Sequence, residues 1–276
     1  MINKIGFIGQ GWLGKNYADW YENNTDFEVV RYDQTKHNGN RDKIKECDLV
    51  FICVPTPTTP YGFDDSTLEE VLALVGDFKI ALIKSTCLPG TTEKMQKMYP
   101  DKHILFVPEF LTEATAQFDV ANPTRNIIGI TMKSHDEIAK KVMDILPRAK
   151  YEIICTAREA EIIKYAGNNW FYFKVIYMNL LYDWCQVHKV DYNLVTQAMV
   201  HDFRVGSSHM DAVHGGGRGA GGHCFIKDME AFAQNYAELV RDPIGNNLLD
   251  ALITKNLHLL KDSKKSLNLI EQIYGN

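Results

Sequence analysis

The first half of the chain alternates short apolar runs with amphipathic stretches. The apolar runs are predicted strands: Lys4–Ile8, Glu28–Tyr32, Leu49–Val54, Ile80–Lys84, Ile104–Val107, Asn126–Ile130 and Tyr151–Cys155. The amphipathic stretches are predicted helices: Trp12–Tyr21, Thr67–Val75 and Ser134–Leu146. A run without polar positions, such as VFICV, is typical of a strand buried on both faces of a parallel sheet. The alternation therefore predicts an α/β fold that begins with a Rossmann-like, doubly wound parallel sheet.

The alternation stops after Cys155, where a long helical segment begins. From Ala157 to about His188 the sequence contains no proline and one glycine. A helix of about 30 residues would be ~45 Å long, since each residue adds about 1.5 Å. Further helices are predicted over Tyr192–His201, Asp228–Leu239 and Asn246–Asp262. We therefore expect a sheet domain over residues 1–155 and an all-α domain over residues 156–276, built on the long central helix.

Charge and composition exclude several classes of protein. The 276 residues include 30 lysines and arginines against 35 acidic residues, which gives a net charge of −5. Binding to nucleic acid needs a basic face, so no nucleic-acid partner is expected. No apolar run approaches the ~20 residues that span a bilayer, and the first one is too short for a signal peptide. Six cysteines without a CxxC pair are typical of reduced thiols, which favours a cytoplasmic protein without a membrane partner.

A glycine-rich turn follows the first predicted strand. Gly9, Gly11 and Gly14 form a GxGxxG motif in which the first glycine permits a tight turn and the second lets a diphosphate approach the backbone. The third glycine lets the helix pack on the strand. Asp33 ends the second strand, nineteen residues after Gly14, where a carboxylate accepts ribose hydroxyls and repels a 2′-phosphate. The motif predicts a dinucleotide site that prefers NAD to NADP.

Loops after the later strands should face the same crevice, at the carboxyl edge of the sheet. They read VPTPT, with Pro55 and Thr56; KSTCLPG, with Thr86; and VPEFLTE, with Glu109. Ordinary turn chemistry accounts for the prolines, but not for a carboxylate placed just after a strand. A carboxylate in that position can activate water.

Two later segments carry candidate chemistry. Lys164 and Asn168 are four residues apart in the long helix, so they share a face. Together they can stabilise an alkoxide. The alternative interpretation is a surface lysine beside a polar helix residue. Cys224 lies in GAGGHCFIKD, just before the predicted helix and near Lys227. Such a setting lowers a thiol pKa and suits a nucleophile. The alternative is a small buried cysteine. His209, His214 and His223 lack the spacing of a zinc site, so no metal is expected.

Seven segments resemble the UDP-glucose/GDP-mannose 6-dehydrogenase family, in the family's order and over about residues 2–235. They are GQGWLG, VPTPT, KST followed by PG, PEFLTEATAQFD with PTR, EIIKYAGNN, FRVG and GAGGHCFIKD. The last is the most specific, because the related 3-hydroxyacid and 6-phosphogluconate dehydrogenases share the lysine and asparagine but lack this cysteine motif. The resemblance implies oxidation of the C6 alcohol of a nucleotide sugar to a carboxylate, with two NAD consumed for each product.

The resemblance also implies a role for each matching residue. Cys224 would capture the intermediate aldehyde as a thiohemiacetal, which becomes a thioester, while Lys164 and Asn168 hold the oxyanion. Asp228 would order or deprotonate the reacting water or hydroxyl. The remaining residues would act near cofactor and substrate: Glu109 in thioester hydrolysis, Thr86 beside the nicotinamide, Lys227 as a charge partner, Arg204 reaching substrate across a dimer contact, and Phe110, Leu111 and Gly221 in contact with substrate.

The resemblance leaves two other readings open. Family members carry a third, Rossmann-like domain that closes over the nucleotide, and no second βαβ series follows here, so a short form is expected. Beside a shortened nucleotide-sugar 6-dehydrogenase, the two alternatives are a two-electron β-hydroxyacid-type dehydrogenase using Lys164 and a non-catalytic NAD-binding subunit that needs a partner domain. The many apolar residues of the long helix predict a homodimer through that helix; they include Trp170, Phe171, Phe173, Ile176, Tyr177 and Leu180.

Overall fold

A computed structural model of the chain describes residues 2–132 and 135–275. These residues form two compact units. The first comprises the residues up to 56 together with 64–164, and the second comprises 57–63 together with the residues from 165 onward. In the sequence, the division falls inside the long helix, between Lys164 and Tyr165. This division describes compact units and not independently folding domains. The domain boundary expected between residues 155 and 156 therefore stays a prediction.

A seven-stranded sheet forms the centre of the first unit. Its strands are β1 (Lys4–Ile8), β2 (Glu28–Tyr32), β3 (Leu49–Ile52), β4 (Ile80–Ile83), β5 (His103–Phe106), β6 (Arg125–Ile130) and β7 (Tyr151–Thr156). The strand order is β2-β1-β3-β4-β5-β6-β7. Parallel pairing places Gly6 opposite Val30 and Val50. The order reverses beside β1, the point at which an open α/β sheet binds ligands. The predicted Rossmann-like sheet is confirmed.

One strand pair departs from the predicted parallel sheet. Strands β5 and β6 run antiparallel, with Leu105 opposite Ile130 and Phe106 opposite Gly129. A parallel pair would require the connection to return to the opposite edge of the sheet. The connection instead contains one turn of 3₁₀ helix, Glu113–Thr115, and a helix of only six residues, Ala116–Ala121. The chain therefore re-enters the sheet from the carboxyl edge of β5, which places Arg125 beside the loop that follows β5.

Ten α-helices are present in the described part of the chain, together with 3₁₀ helices at Asn38–Glu46 and Glu113–Thr115. The α-helices are α1 (Trp12–Asn24), α2 (Ser66–Leu72), α3 (Thr91–Met98), α4 (Ala116–Ala121), α5 (Asp136–Ile145), α6 (Ala157–His188), α7 (Tyr192–Val200), α8 (His223–Leu239), α9 (Pro243–Asp262) and α10 (Leu267–Tyr274). Helices α3, α4 and α10 were not expected from the sequence. Ser134, the first residue of the predicted helix that corresponds to α5, lies outside the described residues. None of the described helices combines the length and the apolar character needed to cross a membrane.

Both faces of the sheet are covered by apolar side chains. On one face Phe7 stacks on Phe51 with ring centroids 4.7 Å apart, and Tyr21 of α1 packs against both rings. On the other face Ile8, Ile52 and their neighbours form a second buried cluster. Continuous apolar strands are required because both faces are buried, which explains why the sequence pattern identified them.

The second unit is mainly helical, as expected, but it contains two short strand pairs. Val213–His214 pairs antiparallel with Gly217–Arg218, and Thr58–Thr59 pairs with Gly62–Phe63. The predicted helical second half is confirmed, and the glycine-rich segment that interrupts it folds as a hairpin. The second pair comes from the first half of the sequence, so the two units are not simply consecutive in the chain.

Candidate active site

The turn between β1 and α1 has the geometry that the glycine motif predicts. Gly9 has a φ of 88°, and its N–H donates to the carbonyl oxygen of Tyr32 at 2.9 Å. A Cβ on Gly9 would overlap the carbonyl oxygen of Cys53, and a Cβ on Gly14 would overlap the carbonyl oxygen of Gly9. The turn conformation and the nearby Cys53 backbone therefore require the first glycine, and the packing of α1 against the turn requires the third.

Gly11 has a different reason to be glycine. It caps the N-terminus of α1 without a side-chain hydrogen bond, and a Cβ at this position would meet nothing within 4 Å. The first N–H groups of a helix have no partner inside the helix, and they bind anions. Open space beside these donors fits the diphosphate of a dinucleotide.

Asp33 follows β2 at the edge of this turn. Its Oδ1 accepts hydrogen bonds from the backbone N–H groups of Thr35, at 2.8 Å, and His37, at 3.1 Å. Slight burial alone would raise the pKa of Asp33, but these N–H groups outweigh it and hold the pKa below its usual value. The carboxylate is therefore ionised at neutral pH, as a ribose-binding acceptor must be.

The two glycines provide a matched pair of substitutions. We expect Gly14→Ala to lower the free energy of unfolding by roughly 1–3 kcal/mol or more, because its methyl group would overlap backbone. Gly11→Ala should leave the melting temperature nearly unchanged and weaken NAD binding about tenfold, equivalent to ~1.4 kcal/mol. Thermal unfolding and calorimetric titration with NAD measure the two effects. Normal NAD affinity in Gly11→Ala would contradict the placement of the diphosphate.

Two further loops at the carboxyl edge are tied to each other. Thr56, which is buried, donates its hydroxyl to the carbonyl oxygen of Thr86 at 2.7 Å. Ser85 Oγ donates to the carbonyl oxygen of Val54 at 2.7 Å and accepts from the N–H of Val54 at 3.0 Å. Pro55 is exposed at the tip of its loop. These bonds fix the two loops, so Pro55 and Thr86 keep their positions as candidate cofactor contacts.

Lys164 and Glu109 form a buried ion pair in the first unit. The Lys164 Nζ lies 2.7 Å from Glu109 Oε1 and 2.8 Å from the carbonyl oxygen of Glu109. The side chains are only 4% and 9% exposed, so the interpretation of Lys164 as a surface lysine is wrong. Glu109 Oε2 also accepts from the N–H of Leu111 at 2.9 Å. A lysine charge is thus fixed beside the loop after β5.

Phe110 lies between two cations. The Arg125 Cζ is 3.6 Å from the centroid of the Phe110 ring, and the Lys164 Nζ is 5.8 Å from it. Cations are attracted to the face of an aromatic ring. Phe110 is therefore fixed by its charged neighbours, while the N–H of Leu111 is used to orient Glu109. Their expected contact with substrate stays a prediction.

A second carboxylate on α6 anchors this helix in the first unit. Glu161 is fully buried and accepts from the N–H groups of Gly90, at 2.6 Å, and Thr92, at 2.8 Å, and from the Thr92 hydroxyl. It thereby satisfies N–H groups at the start of α3. Glu161 lies one turn before Lys164, so it fixes the part of α6 that carries the lysine. No sequence motif marks this role, since Glu161 resembles any other acidic residue of a helix.

In the second unit, Asn168, Asp228 and Lys227 form a connected polar cluster. Asn168 Nδ2 donates to Asp228 Oδ2 at 2.6 Å, and Lys227 Nζ lies 2.5 Å from Asp228 Oδ1. The carboxylate of Asp228 is 1% exposed. Both of its oxygens therefore have donors, and Lys227 is a charge partner of Asp228. Asn168 has a second amide hydrogen, since its NH₂ group carries two donors.

Cys224 lies in the first turn of α8 and is exposed. The expectation that the helix begins at Asp228, after the cysteine, is wrong: it begins at His223. The shift places Cys224 four residues before Asp228, which is one helical turn. The alternative of a small buried cysteine is also wrong, because the residue faces solvent.

The glycine-rich segment before α8 is held by residues that sequence reasoning missed. Asn256 Oδ1 accepts from the N–H of Ala220 at 2.7 Å, and its amide donates to the carbonyl oxygen of the same residue. Lys265 donates to the carbonyl oxygen of Gly219 at 2.9 Å. A Cβ on Gly221 would lie 2.7 Å from Lys265 Cε. The close approach at Gly221 is therefore to this chain's own lysine, and its contact with substrate stays a prediction.

Arg204 is exposed and paired with Asp202 of the same chain, with Nε lying 2.9 Å from Asp202 Oδ1. Its expected reach to a substrate across a dimer contact stays a prediction. Across residues 2–132 and 135–275, no three His, Cys, Asp or Glu side chains cluster in a way that could hold a metal ion.

Comparison with known proteins identifies both parts of the chain. Residues 34–146 match the NAD binding domain of the UDP-glucose/GDP-mannose dehydrogenase family, and residues 158–257 match its central domain. UDP-glucose 6-dehydrogenase AglM of Haloferax volcanii is 33% identical over 226 residues, which are 74% of this chain and 52% of that protein. UDP-glucose 6-dehydrogenase of Rickettsia bellii is 26% identical over 258 residues, or 88% and 58%. The chain thus spans about half the length of these relatives.

Solved structures show the same fold. A UDP-glucose dehydrogenase from Pyrobaculum islandicum superimposes with a TM-score of 0.80 at 23% identity, over 94% of this chain and 68% of that one. A UDP-D-ManNAc dehydrogenase from Pyrococcus horikoshii gives a TM-score of 0.78 at 19% identity, over 95% and 72%. With two consecutive family domains matched in sequence and this fold in the structure, the chain belongs to the UDP-glucose/GDP-mannose dehydrogenase family and carries its NAD-binding domain.

Proposed function

We propose that this chain is an NAD-dependent nucleotide-sugar 6-dehydrogenase that oxidises a C6 alcohol, as in UDP-glucose, to a carboxylate. The buried Lys164, held by Glu109, is the observation that carries the proposal. A fixed positive charge favours the alkoxide from which a hydride departs. The exposed Cys224, one turn before the buried Asp228, supports the second oxidation. Relatives named UDP-glucose 6-dehydrogenase support the substrate class.

The first oxidation converts the alcohol to an aldehyde. The C6 hydroxyl loses its proton, and C6 loses one hydrogen as hydride. When bound, NAD supplies the hydride acceptor for each oxidation. Lys164 and the second amide hydrogen of Asn168 are proposed to stabilise the alkoxide oxygen, and Asp228 to order or deprotonate the reacting hydroxyl. Lys164 and Asn168 are four residues apart, so their side chains lie on the same face of α6.

The second oxidation takes place on the cysteine. The sulfur of Cys224 adds to the aldehyde carbon, and the aldehyde oxygen takes up a proton to give a thiohemiacetal. Loss of that proton and of a second hydride leaves a thioester. The covalent bond matters because the thiohemiacetal carbon carries both a hydrogen and a hydroxyl group, so a second hydride can leave as it did in the first oxidation.

Hydrolysis completes the cycle. A water molecule adds to the thioester carbon, and the carbon–sulfur bond breaks to release the carboxylate and restore the thiol. Glu109 is proposed to assist the attacking water, and Thr86 to lie near the water and the nicotinamide. Lys227 would hold the Asp228 carboxylate in position through their contact at 2.5 Å. Arg204, Phe110, Leu111 and Gly221 are the remaining candidate substrate contacts.

A panel of sugar nucleotides tests the proposal. Purified chain is mixed with NAD and each sugar nucleotide, and NADH and acid product are measured together. We expect two NADH for each acid formed. Oxidation of 3-hydroxyacids that survives alkylation of Cys224 would instead indicate the two-electron dehydrogenase. NAD binding without turnover of any sugar nucleotide, and activity restored by a separate partner domain, would indicate the non-catalytic subunit.

We propose a homodimer through α6 as the working form. Trp170, Tyr177 and Trp184 are 62%, 56% and 65% exposed and recur every seven residues, so they form one stripe along the helix. Large exposed apolar patches are unusual on monomers. We expect Trp184→Arg to shift the protein to monomer in sedimentation velocity. Ile244→Arg, at an exposed apolar residue of α9, is the control, and a monomeric unmodified chain would contradict the proposal.

We also propose the cytoplasm as the compartment of this protein. Cys47, Cys53, Cys155 and Cys185 carry free thiols. Reduced thiols are typical of cytoplasmic proteins, because the compartment keeps cysteines from forming disulfides.

A further inference from the structure

A cavity of about 180 Å³ lies within the first unit. Its lining includes Tyr17 of α1, Lys84 after β4, Val107 after β5, Val120 of α4, Arg125 of β6 and Leu146 after α5. None of these six residues has a role in the proposed reaction, although the candidate substrate contacts Phe110 and Leu111 also border the cavity. Its volume suits a ligand of a few non-hydrogen atoms.

Lys84 presents a buried ammonium group to this cavity. The residue is 2% exposed, and its Nζ donates to the carbonyl oxygen of Val107 at 3.2 Å. The Nζ also lies 4.3 Å from the centroid of the Tyr17 ring. An ammonium group has three donors, so one hydrogen bond leaves donor capacity. Burial lowers the pKa of Lys84 to about 8, which leaves most of the lysine charged at pH 7.

Arg125 presents a second cation to the same cavity. Its guanidinium stacks on the Phe110 ring, with Cζ 3.6 Å from the centroid. Among the described residues, no acceptor receives a hydrogen bond from this guanidinium and no carboxylate lies within 4.0 Å of it. An arginine has five N–H donors in a fixed fork that matches a carboxylate. Burial lowers the pKa of Arg125, but the guanidinium stays charged.

No carboxylate in the described part of the chain forms a close ion pair with either cation. Asp119 also lines the cavity, but its Oδ2 accepts from the Thr112 N–H at 2.9 Å and the Thr115 hydroxyl at 2.8 Å. Glu109 is occupied by its pair with Lys164. In the part of the chain that the structure describes, neither Lys84 nor Arg125 has an ion-pair partner within 4.0 Å. A buried cation is costly without a counter-charge, so the cavity favours an anion.

We propose that this cavity is a binding site for a small carboxylate with a short apolar chain. The carboxylate would lie at Lys84 and Arg125, where a bidentate contact with the guanidinium is available. The apolar chain would pack against Val107, Val120 and Leu146, which form an apolar part of the wall. An inorganic anion such as phosphate would leave this apolar wall without contacts.

Calorimetric titration of the purified chain with butyrate tests the site without NAD or sugar nucleotide, so the result is independent of the proposed function. The isosteric neutral amide, butyramide, is the matched ligand control. We expect saturable butyrate binding, and binding at least about tenfold weaker for butyramide, for Lys84→Met and for Arg125→Met, as is typical of hydrogen bonds to charged groups. Lys97→Met and Arg148→Met, both at exposed positions, should bind butyrate like the unmodified chain.

Thermal unfolding shows whether each variant is folded. Lys84→Met removes a buried charge without changing the side-chain length greatly, so we expect a melting temperature equal to or above that of the unmodified chain. Three results would overturn the proposal: no saturable butyrate binding in the millimolar range, equal binding of butyramide, or unchanged binding in both folded variants. Tighter binding of inorganic phosphate than of butyrate would overturn the assignment to a carboxylate with an apolar chain.

Discussion

Replacing Cys224 with serine is expected to lower the rate of acid formation by on the order of 10³-fold or more, as is typical when a covalent nucleophile is removed. The serine hydroxyl is a much weaker nucleophile than a thiolate, so the aldehyde is not captured. The first oxidation does not need the sulfur. The variant should therefore form the aldehyde, which hydroxylamine traps as an oxime, with no more than one NADH for each sugar oxidised.

The controls for this prediction use the chain's own cysteines. Cys155→Ser, at a half-buried thiol of β7, should keep the yield of two NADH for each acid. Iodoacetamide should inactivate the Cys155→Ser variant as fast as the unmodified chain, since Cys224 is exposed. Acid formation by Cys224→Ser at close to the original rate would remove the cysteine from the mechanism and favour the two-electron alternative.

Lys164→Met is expected to reduce kcat by about 10²–10³-fold, the usual effect of removing one oxyanion-stabilising donor. The substitution also leaves Glu109 as a buried, unpaired carboxylate, because the two side chains are 4% and 9% exposed. Breaking a buried ion pair in this way typically costs roughly 3–5 kcal/mol of unfolding free energy. Activity and stability are therefore both expected to fall, and the loss of catalysis must be distinguished from the loss of folded protein.

The double variant Lys164→Met/Glu109→Gln separates the two effects. Neutral glutamine removes the unpaired charge, so denaturant unfolding should show much of the lost stability restored. The activity should stay low, because the positive charge is still absent and the carboxylate proposed to assist hydrolysis is also removed. Lys140→Met, at an exposed i,i+4 pair on α5, is the control for loss of a lysine. Recovery of kcat together with stability would show that Lys164 supports folding only.

The predicted strands match the sheet closely because apolar runs mark burial on both faces. The same pattern carries no information on strand direction, so the antiparallel pairing of β5 and β6 was not predictable from it.

Helix α3 was missed for a local reason. It begins after Gly90, which has a φ of 99°, within a proline–glycine segment typical of a turn. Tertiary hydrogen bonds from the N–H groups of Gly90 and Thr92 to Glu161 help to fix the start of that helix.

The candidate site was predicted in composition but not in arrangement. Motif spacing identified Lys164 and Asn168 through KxxxN, and Cys224 through the GGHC segment, because both are local patterns. The GxGxxG glycines were identified in the same way. The pair between Lys164 and Glu109 joins residues 55 positions apart, and no local pattern encodes such a distance. The burial of Lys84 was likewise hidden, since a lysine after a strand looks like an ordinary exposed residue.

The small hairpin of residues 57–63 belongs to the second compact unit although it is encoded within the first half of the gene. The polypeptide therefore passes from one unit to the other three times. A fragment cut after Lys164 would separate the helical part from its own hairpin, where Thr59 accepts a hydrogen bond from Gln234. Anyone who wishes to express the helical part alone must restore this peptide, for example by circular permutation.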